Sequence, residues 1–202
     1  MLEHIHWLGH ASFKITGEKV IYVDPYELQE DEPADLIFVT HEHFDHMSVG
    51  DIRKIQGPGT VIVTTGACAS KLSGDVRVVK AGERLTVADV AIEVIPAYNV
   101  GKEFHPQAAG GVGFVFTVND MRVYHAGDTD FIPEMKDVRA DVALLPIGGK
   151  YTMNAEEAAQ AANTMKPQVA VPMHWGTIIG GQSDVDRFRE LCEVPVQVLE
   201  KE

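Results

Sequence analysis

The chain holds only two cysteines in 202 residues, Cys68 and Cys192. They lie far apart and form no CxxC pair, which argues against a disulfide framework or a dithiol redox motif and for two reduced, mostly buried thiols. Basic side chains are also scarce. Seventeen Lys and Arg stand against 30 Asp and Glu, giving a formal charge of −13 and a pI near 5.0. Such a surface repels phosphate backbones, so nucleic acid is not the expected partner. No apolar run approaches the ~20 residues of a membrane span, and the opening residues MLEHIHWLGH lack a basic region followed by an apolar stretch. A cytoplasmic protein is expected. Linkers, low-complexity tracts and charge blocks are missing as well. The expectation is one domain over residues 1–202, long enough to bury roughly 70–75% of its unfolded surface, with a homo-oligomer left open.

What the chain does contain is a series of short apolar runs. Val20–Val23, Leu36–Val39, Val61–Val63, Val90–Ile95, Val112–Val118, Val142–Leu145, Val169–Val171 and Val196–Leu199 are rich in β-branched residues. Bounded by Gly, Pro, Asp or Asn, they read as strands. Asn154 with Glu157 three residues on has the form of a capping box, and Ala155, Ala158, Ala159 and Ala162 follow at helical spacing until Pro167. A second helix is expected from Ser183, with Val185, Phe188 and Cys192 on its inner face, and short helices over 48–56 and 66–72. A faint internal echo runs through this pattern. Lys19–Asp24 followed by Ala34–Val39 resembles Arg122–Asp128 followed by Ala140–Leu145. Each is a strand ending in aspartate, then Ala-Asp and a further apolar strand, which suggests two similar halves with their polar strand ends on one edge.

Nine histidines are the telling count, because they cluster. His41, His43 and His46, with Asp45 between them, follow directly on an apolar strand. Along an extended turn His41 and His43 share one side, while Asp45 and His46 curl back below. Imidazoles and a carboxylate in that arrangement suit two adjacent zinc, manganese or iron positions. Further candidates stand at other strand ends: Asp24, Asp128 and His174. Singly each reads as a turn residue, a helix cap or a packed histidine. Together they are what a site built at one edge of a sheet assembly would show.

His41-x-His43-x-Asp45-His46, preceded by Asp24 and followed by Gly127-Asp128 and His174, resembles the metallo-β-lactamase superfamily. The resemblance runs from Trp7–Phe13 to Met173–Trp175. Leu8–Phe13, Tyr124–Thr129 and Pro146–Met153 are similar to its small metal-dependent hydrolases, the branch of ascorbate-6-phosphate lactonase and phospholipase-D-like relatives. It implies an α/β fold, a four-layer αβ/βα sandwich with helices outside two β-sheets. It also implies two divalent ions per chain, Zn or Mn, Fe or Ni. His41 and His43 would hold the first with a third histidine, Asp45, His46 and His174 the second, and Asp128 would bridge them. Asp24 would brace the histidine loop rather than bind metal. Many relatives place the third histidine after Pro-Ala-aromatic, whereas here Pro96-Ala97-Tyr98 is followed by Asn99. His105 is the preferred substitute and His125 its competitor. A loop can carry His105 to the metals, while His125 sits in the strand that presents Asp128.

The implied chemistry is hydrolysis. Two cations sharing a water lower its pKa toward neutrality, and the resulting hydroxide attacks a small ester, lactone or phosphoester, with Asp45 steering the proton. His10 and His125 stand as acid donors, outer residues or structural histidines. Lys150–Met153, just before the alanine helix, could meet a substrate anion or simply connect strand to helix. A nuclease of the same superfamily is the nearest rival, but the chain lacks a projecting basic arm. A catalytically silent metal-binding protein is the rival from another class, and the intact ligand set argues against it.

Overall fold

The β-branched runs form strands that pair with their neighbours along the chain in a computed structural model, which describes residues 2–29 and 32–202. β1 (Ile5–Gly9), β2 (Ser12–Ile15) and β3 (Ile21–Val23) pair antiparallel, and β4 (Ala34–Val39), β5 (Gln56–Thr64) and β6 (Asp75–Val78) extend that sheet in parallel. In the second sheet β7 (Arg84–Val87), β8 (Val90–Pro96), β9 (Val112–Val118) and β10 (Met121–His125) are antiparallel, and β11 (Val142–Pro146) and β12 (Val169–Met173) are parallel additions. Parallel neighbours need crossovers. Helices α1 (Val49–Ile55), α2 (Gly66–Ala69) and α3 (Ala155–Met165) supply three of them, and α4 (Gln182–Leu191) follows β12.

Alternation along β4 shows how the layers form. Leu36 and Phe38 point into the core between the sheets, while Ile37 and Val39 face Met47, Ile52 and Ile55 at α1. Both faces are buried, so the strand reads as a continuous apolar run. The Phe38 ring lies 4.9 Å from Phe114 and 4.9 Å from Phe116 of the opposite sheet. On the far side, Ala158, Ala161 and Ala162 of α3 are fully buried, and their small side chains let the helix lie close to β11. Its capping box is present: Glu157 N–H donates to Asn154 Oδ1 at 2.8 Å, and Asn154 N–H to Glu157 Oε2 at 2.9 Å. The result is the expected α/β sandwich, two six-stranded sheets with helices outside.

The internal echo has a physical counterpart. Val20 N–H donates to Asp35 Oδ2 at 2.8 Å, and Arg122 N–H donates to Asp141 Oδ2, also at 2.8 Å. The Asp of each Ala-Asp pair thus ties its own strand to the start of the preceding one, β3 or β10. Both pairs then leave their polar ends on the same edge.

The expected closing strand over 196–199 is not formed. The tail makes isolated bridges instead, Val196 with Ala170 of β12 and Lys201 with Trp7 of β1. It laces the outer strands of two different sheets, so it has no continuous edge to pair with. Five strands were not legible as apolar runs, although β10 was read from the internal echo. β6 is largely exposed, β1 and β2 interleave His6, Ser12 and Lys14 with apolar residues, and β7 turns into β8 through Ala88 and Asp89, both with positive φ where Gly or Asn is usual.

Because Phe38 joins the two sheets, Phe38→Ala should cost roughly 3–5 kcal/mol of stability. Urea unfolding should show this as a lower midpoint with an unchanged m-value.

Candidate metal centre

Six segments bring polar residues to the shared edge. Asp24 follows β3, the 41–46 turn follows β4, Asp128 follows β10, His174 follows β12, His10 forms the β1–β2 turn, and His105 lies on the loop after β8. His10, Asp24, His105 and His174 all have positive φ, between 46° and 58°. That backbone is uncommon for non-glycine residues and concentrates where function dictates side-chain direction. Gly127 turns the chain into Asp128 at φ 66°, and a Cβ there would meet Val112 O at 2.8 Å, so only glycine fits.

Asp24 organises the histidine turn. Its wholly buried carboxylate accepts Thr40 N–H at 2.8 Å, Thr40 Oγ1–H at 2.7 Å and His46 Nδ1–H at 2.7 Å. Thr40 Oγ1 is 3.0 Å from His41 Nδ1 and accepts its proton, because its own hydrogen goes to Asp24. His105 Nδ1–H donates to Tyr151 O at 3.1 Å. Each bond fixes a tautomer and leaves Nε2 of His41, His46 and His105 as the nitrogen that could hold a metal.

Those nitrogens converge on Asp128. Its Oδ1 lies 3.2 Å from His46 Nε2, and its Oδ2 lies 3.2 Å from His174 Nε2, 3.4 Å from His105 Nε2 and 3.9 Å from His41 Nε2. His43 Nδ1 is 3.1 Å from His41 Nε2 and 2.9 Å from His105 Nε2. Asp45 Oδ2 is 3.8 Å from His46 Nε2 and 4.0 Å from His174 Nε2. Two donor groups result, His41, His43 and His105 on one side, and Asp45, His46 and His174 with His10 on the other. His46 Nε2, His174 Nε2 and Asp128 Oδ1 are buried without a hydrogen-bond partner. Polar atoms orphaned at one point are costly unless a further group satisfies them, and a cation fits.

The electrostatics agree with that donor set. Burial pushes the Asp128 carboxyl upward, but His174 and His46 outweigh it and hold the carboxyl well below the usual range. Burial likewise raises Asp45, and the His10 hydrogen bond and the charge of His46 bring it below its ordinary value. His41 and His105 are pushed down, mainly by burial, and so are neutral as metal ligation requires. His46 is the exception. Burial lowers it, yet Asp128 and Asp24 together raise it well above the ordinary histidine range.

All eight residues singled out from the sequence meet here: His41, His43, Asp45, His46, His105, Asp128, His174 and Asp24. His125 does not. It is wholly buried, its Nε2–H donates to Ala11 O at 2.9 Å, and its Nδ1 accepts Gly127 N–H at 3.2 Å. Asn99, where many relatives carry histidine, clamps the loop instead. Its Nδ2 donates to Tyr151 O at 2.7 Å and Phe104 O at 3.0 Å, and its N–H to His105 O at 2.8 Å. The 98–111 loop is therefore more ordered than its composition suggested. His10 is the residue whose role only the structure assigns: its Nε2 lies 3.0 Å from Asp45 Oδ2, and its ring centroid 3.8 Å from that of His174. Lys150 lies outside, exposed, with Nζ over the Tyr151 ring at 5.0 Å.

The sandwich with paired donor groups at its edge defines the class. A family model described as a β-lactamase superfamily domain matches residues 4–174. The chain is similar to a UPF0173 metal-dependent hydrolase of Methanoculleus marisnigri, 36% identical over 93% of this chain and 87% of the relative. One from Aeropyrum pernix is 34% identical over 98% and 93%. The crystal structure of Igni18, a metallo hydrolase from the archaeon Ignicoccus hospitalis, is 25% identical, covers 98% of this chain and 94% of its own, and has a TM-score of 0.80. The chain belongs to the metallo-β-lactamase superfamily and, within it, to the metal-dependent hydrolases. No helix among the described residues is long and apolar enough to cross a membrane.

If Asp24 orients the ligands without binding metal, Asp24→Asn should weaken metal affinity about 10–100-fold while the number of bound equivalents stays the same. Titration with a competing chelator reads both quantities.

Proposed function

We propose that residues 1–202 act as one binuclear hydrolase domain. In this reading His41, His43 and His105 would hold one divalent ion, Asp45, His46 and His174 the second, and Asp128 would contribute to both. The observation that carries it is Asp128 itself: its two oxygens approach imidazoles of both donor groups within 3.2–3.9 Å. Seven ligands exceed what one tetrahedral ion needs, and imidazole with carboxylate suits Zn, Mn, Fe or Ni. When bound, such ions supply Lewis acidity, polarising a carbonyl or phosphoryl oxygen and bringing the pKa of water toward neutrality.

The chain's own residues do the rest. Asp45 faces the cavity beside the donor groups and, held ionised, steers the proton of the attacking water. His10 fixes that carboxylate from behind through its Oδ2. The substrate is a small ester, lactone or phosphoester. An acidic chain argues against nucleic acid as substrate, and two unpaired cysteines support a reducing compartment such as the cytoplasm.

Protein saturated with Zn or Mn and dialysed should retain close to two equivalents. His105→Ala should lose occupancy at one site, while His125→Ala should keep both metals and lose stability, since it breaks two buried hydrogen bonds. A reproducible single equivalent in the parent, unchanged by His174→Ala, would retire the binuclear reading.

A further inference from the structure

Among the described residues five large hydrophobic side chains are more than a third exposed: Phe44, Val78, Val100, Phe104 and Ile178. Three of the five line one cavity. Phe44 (69% exposed), Phe104 and Ile178 join Tyr151 around a space of about 220 Å³ whose floor is His43, Asp45, His105, Asp128 and His174. Exposed apolar groups scattered singly need no explanation, but three gathered over a polar floor do. Their positions follow from the donor residues. Phe44 lies between His43 and Asp45, Phe104 precedes His105, and Ile178 follows His174 by four residues. Neighbouring rings hold two of them: Phe104 meets Tyr151 edge-on at 4.8 Å, and Phe44 meets Tyr26 at 5.9 Å. The wall is built before anything enters it.

Charge narrows the occupant. Neither this cavity nor the adjoining one over His41 and His105 is lined by any Lys or Arg. The nearby cations are held elsewhere. Lys71 Nζ pairs with Glu42 at 2.7 Å, Lys102 pairs with Asp130 and donates to Thr152 O at 2.7 Å, and the exposed Lys150, with Nζ 5.0 Å from the Tyr151 ring centroid, does not line the cavity. A phosphate or carboxylate on the part of the substrate beyond the reacting group would find apolar walls and no cation. An alkyl or aryl group would find complementary surface.

We propose that the Phe44, Phe104, Tyr151 and Ile178 wall is the recognition site for the non-reacting part of the substrate, and that this part is uncharged and apolar. The substrate class is then a neutral ester or lactone with an alkyl or aryl substituent, rather than a sugar phosphate. This rests on the hydrolytic reading above and narrows its substrate.

The test uses the zinc-saturated protein and two matched series. Calorimetry with 5-alkyl-2-pyrrolidinones, which cannot be opened as lactones are, reads binding alone, and the corresponding γ-lactones read turnover. Each added methylene should tighten lactam binding about fourfold until the cavity is filled, and a terminal carboxylate on the tail should weaken it at least tenfold. Phe104→Ala and Ile178→Ala should cut the gain per methylene below twofold while the metal equivalents stay at two. Affinity independent of tail length, or a charged tail that binds as well as the neutral one, overturns the proposal. So does a dimer, seen by sedimentation, that Phe44→Ser dissociates while the lactam series stays flat, because a second copy then covers the wall. Lactams that bind with the expected tail dependence alongside lactones that are never opened would leave the apolar site standing and sink the hydrolytic reading alone.

Discussion

The carboxylate of Asp24 is the point on which the rest of the centre hangs. It is wholly buried, and its oxygens receive the Thr40 amide, the Thr40 hydroxyl and His46 Nδ1. A buried carboxylate is costly unless its lone pairs are occupied, so the fold that buries Asp24 must also bring the 40–46 turn onto it. The turn thereby acquires one orientation. Thr40 passes the constraint to His41 through its hydroxyl, and His46 is gripped directly. A single residue at the end of a three-residue strand thus sets two imidazoles and their tautomers before any ion arrives.

Asp128 stands at the corresponding place in the second half of the chain, after β10 as Asp24 follows β3. The two halves share the same Ala-Asp tie between neighbouring strands. Their aspartates differ in what surrounds them. Asp24 meets hydrogen-bond donors of its own sheet and is satisfied. Asp128 meets imidazole nitrogens of four histidines from three separate segments, and its Oδ1 lacks a hydrogen-bond partner. Similar backbones therefore carry one carboxylate filled by hydrogen-bond donors and one set among imidazoles, and the difference lies in the partners that both sheets bring: the 41–46 turn from the opposite sheet, His105 and His174 from its own.

Above this charged floor the walls are apolar, and the contrast suits hydrolysis. Apolar walls lower the local dielectric beside the carboxylates, which strengthens their interactions with what they hold. The 98–111 loop contributes at both levels. Asn99 ties it to Tyr151, His105 joins the floor, and Phe104 joins the wall. The His105 imidazole and the Phe104 ring are therefore positioned by one short network of backbone carbonyls and a side-chain amide.

Much of this was legible in the chain because it is local. His41, His43, Asp45 and His46 lie within six positions, the α3 capping box within four, and period-two or continuous apolar runs marked most strands. What could not be read was whatever depends on segments far apart in the chain. His105 and His125 are both histidines at plausible separations. Only the direction of β10 decides between them, since it points His125 at Ala11 O and spends both its ring nitrogens on the backbone. His10 sits in an unremarkable turn until the β1–β2 hairpin lays it against Asp45 and His174. The closing tail looked like a strand because Val196, Val198 and Leu199 make it apolar and two of them are β-branched, but two sheet edges compete for it and neither offers a continuous ladder. The sequence by itself determined most of the strands and the donor types, because side-chain chemistry and near-neighbour periodicity act along the chain. Tertiary structure alone decided which histidine faces Asp128 and which side chains wall the cavity, because those contacts exist only once both sheets have closed on their common core.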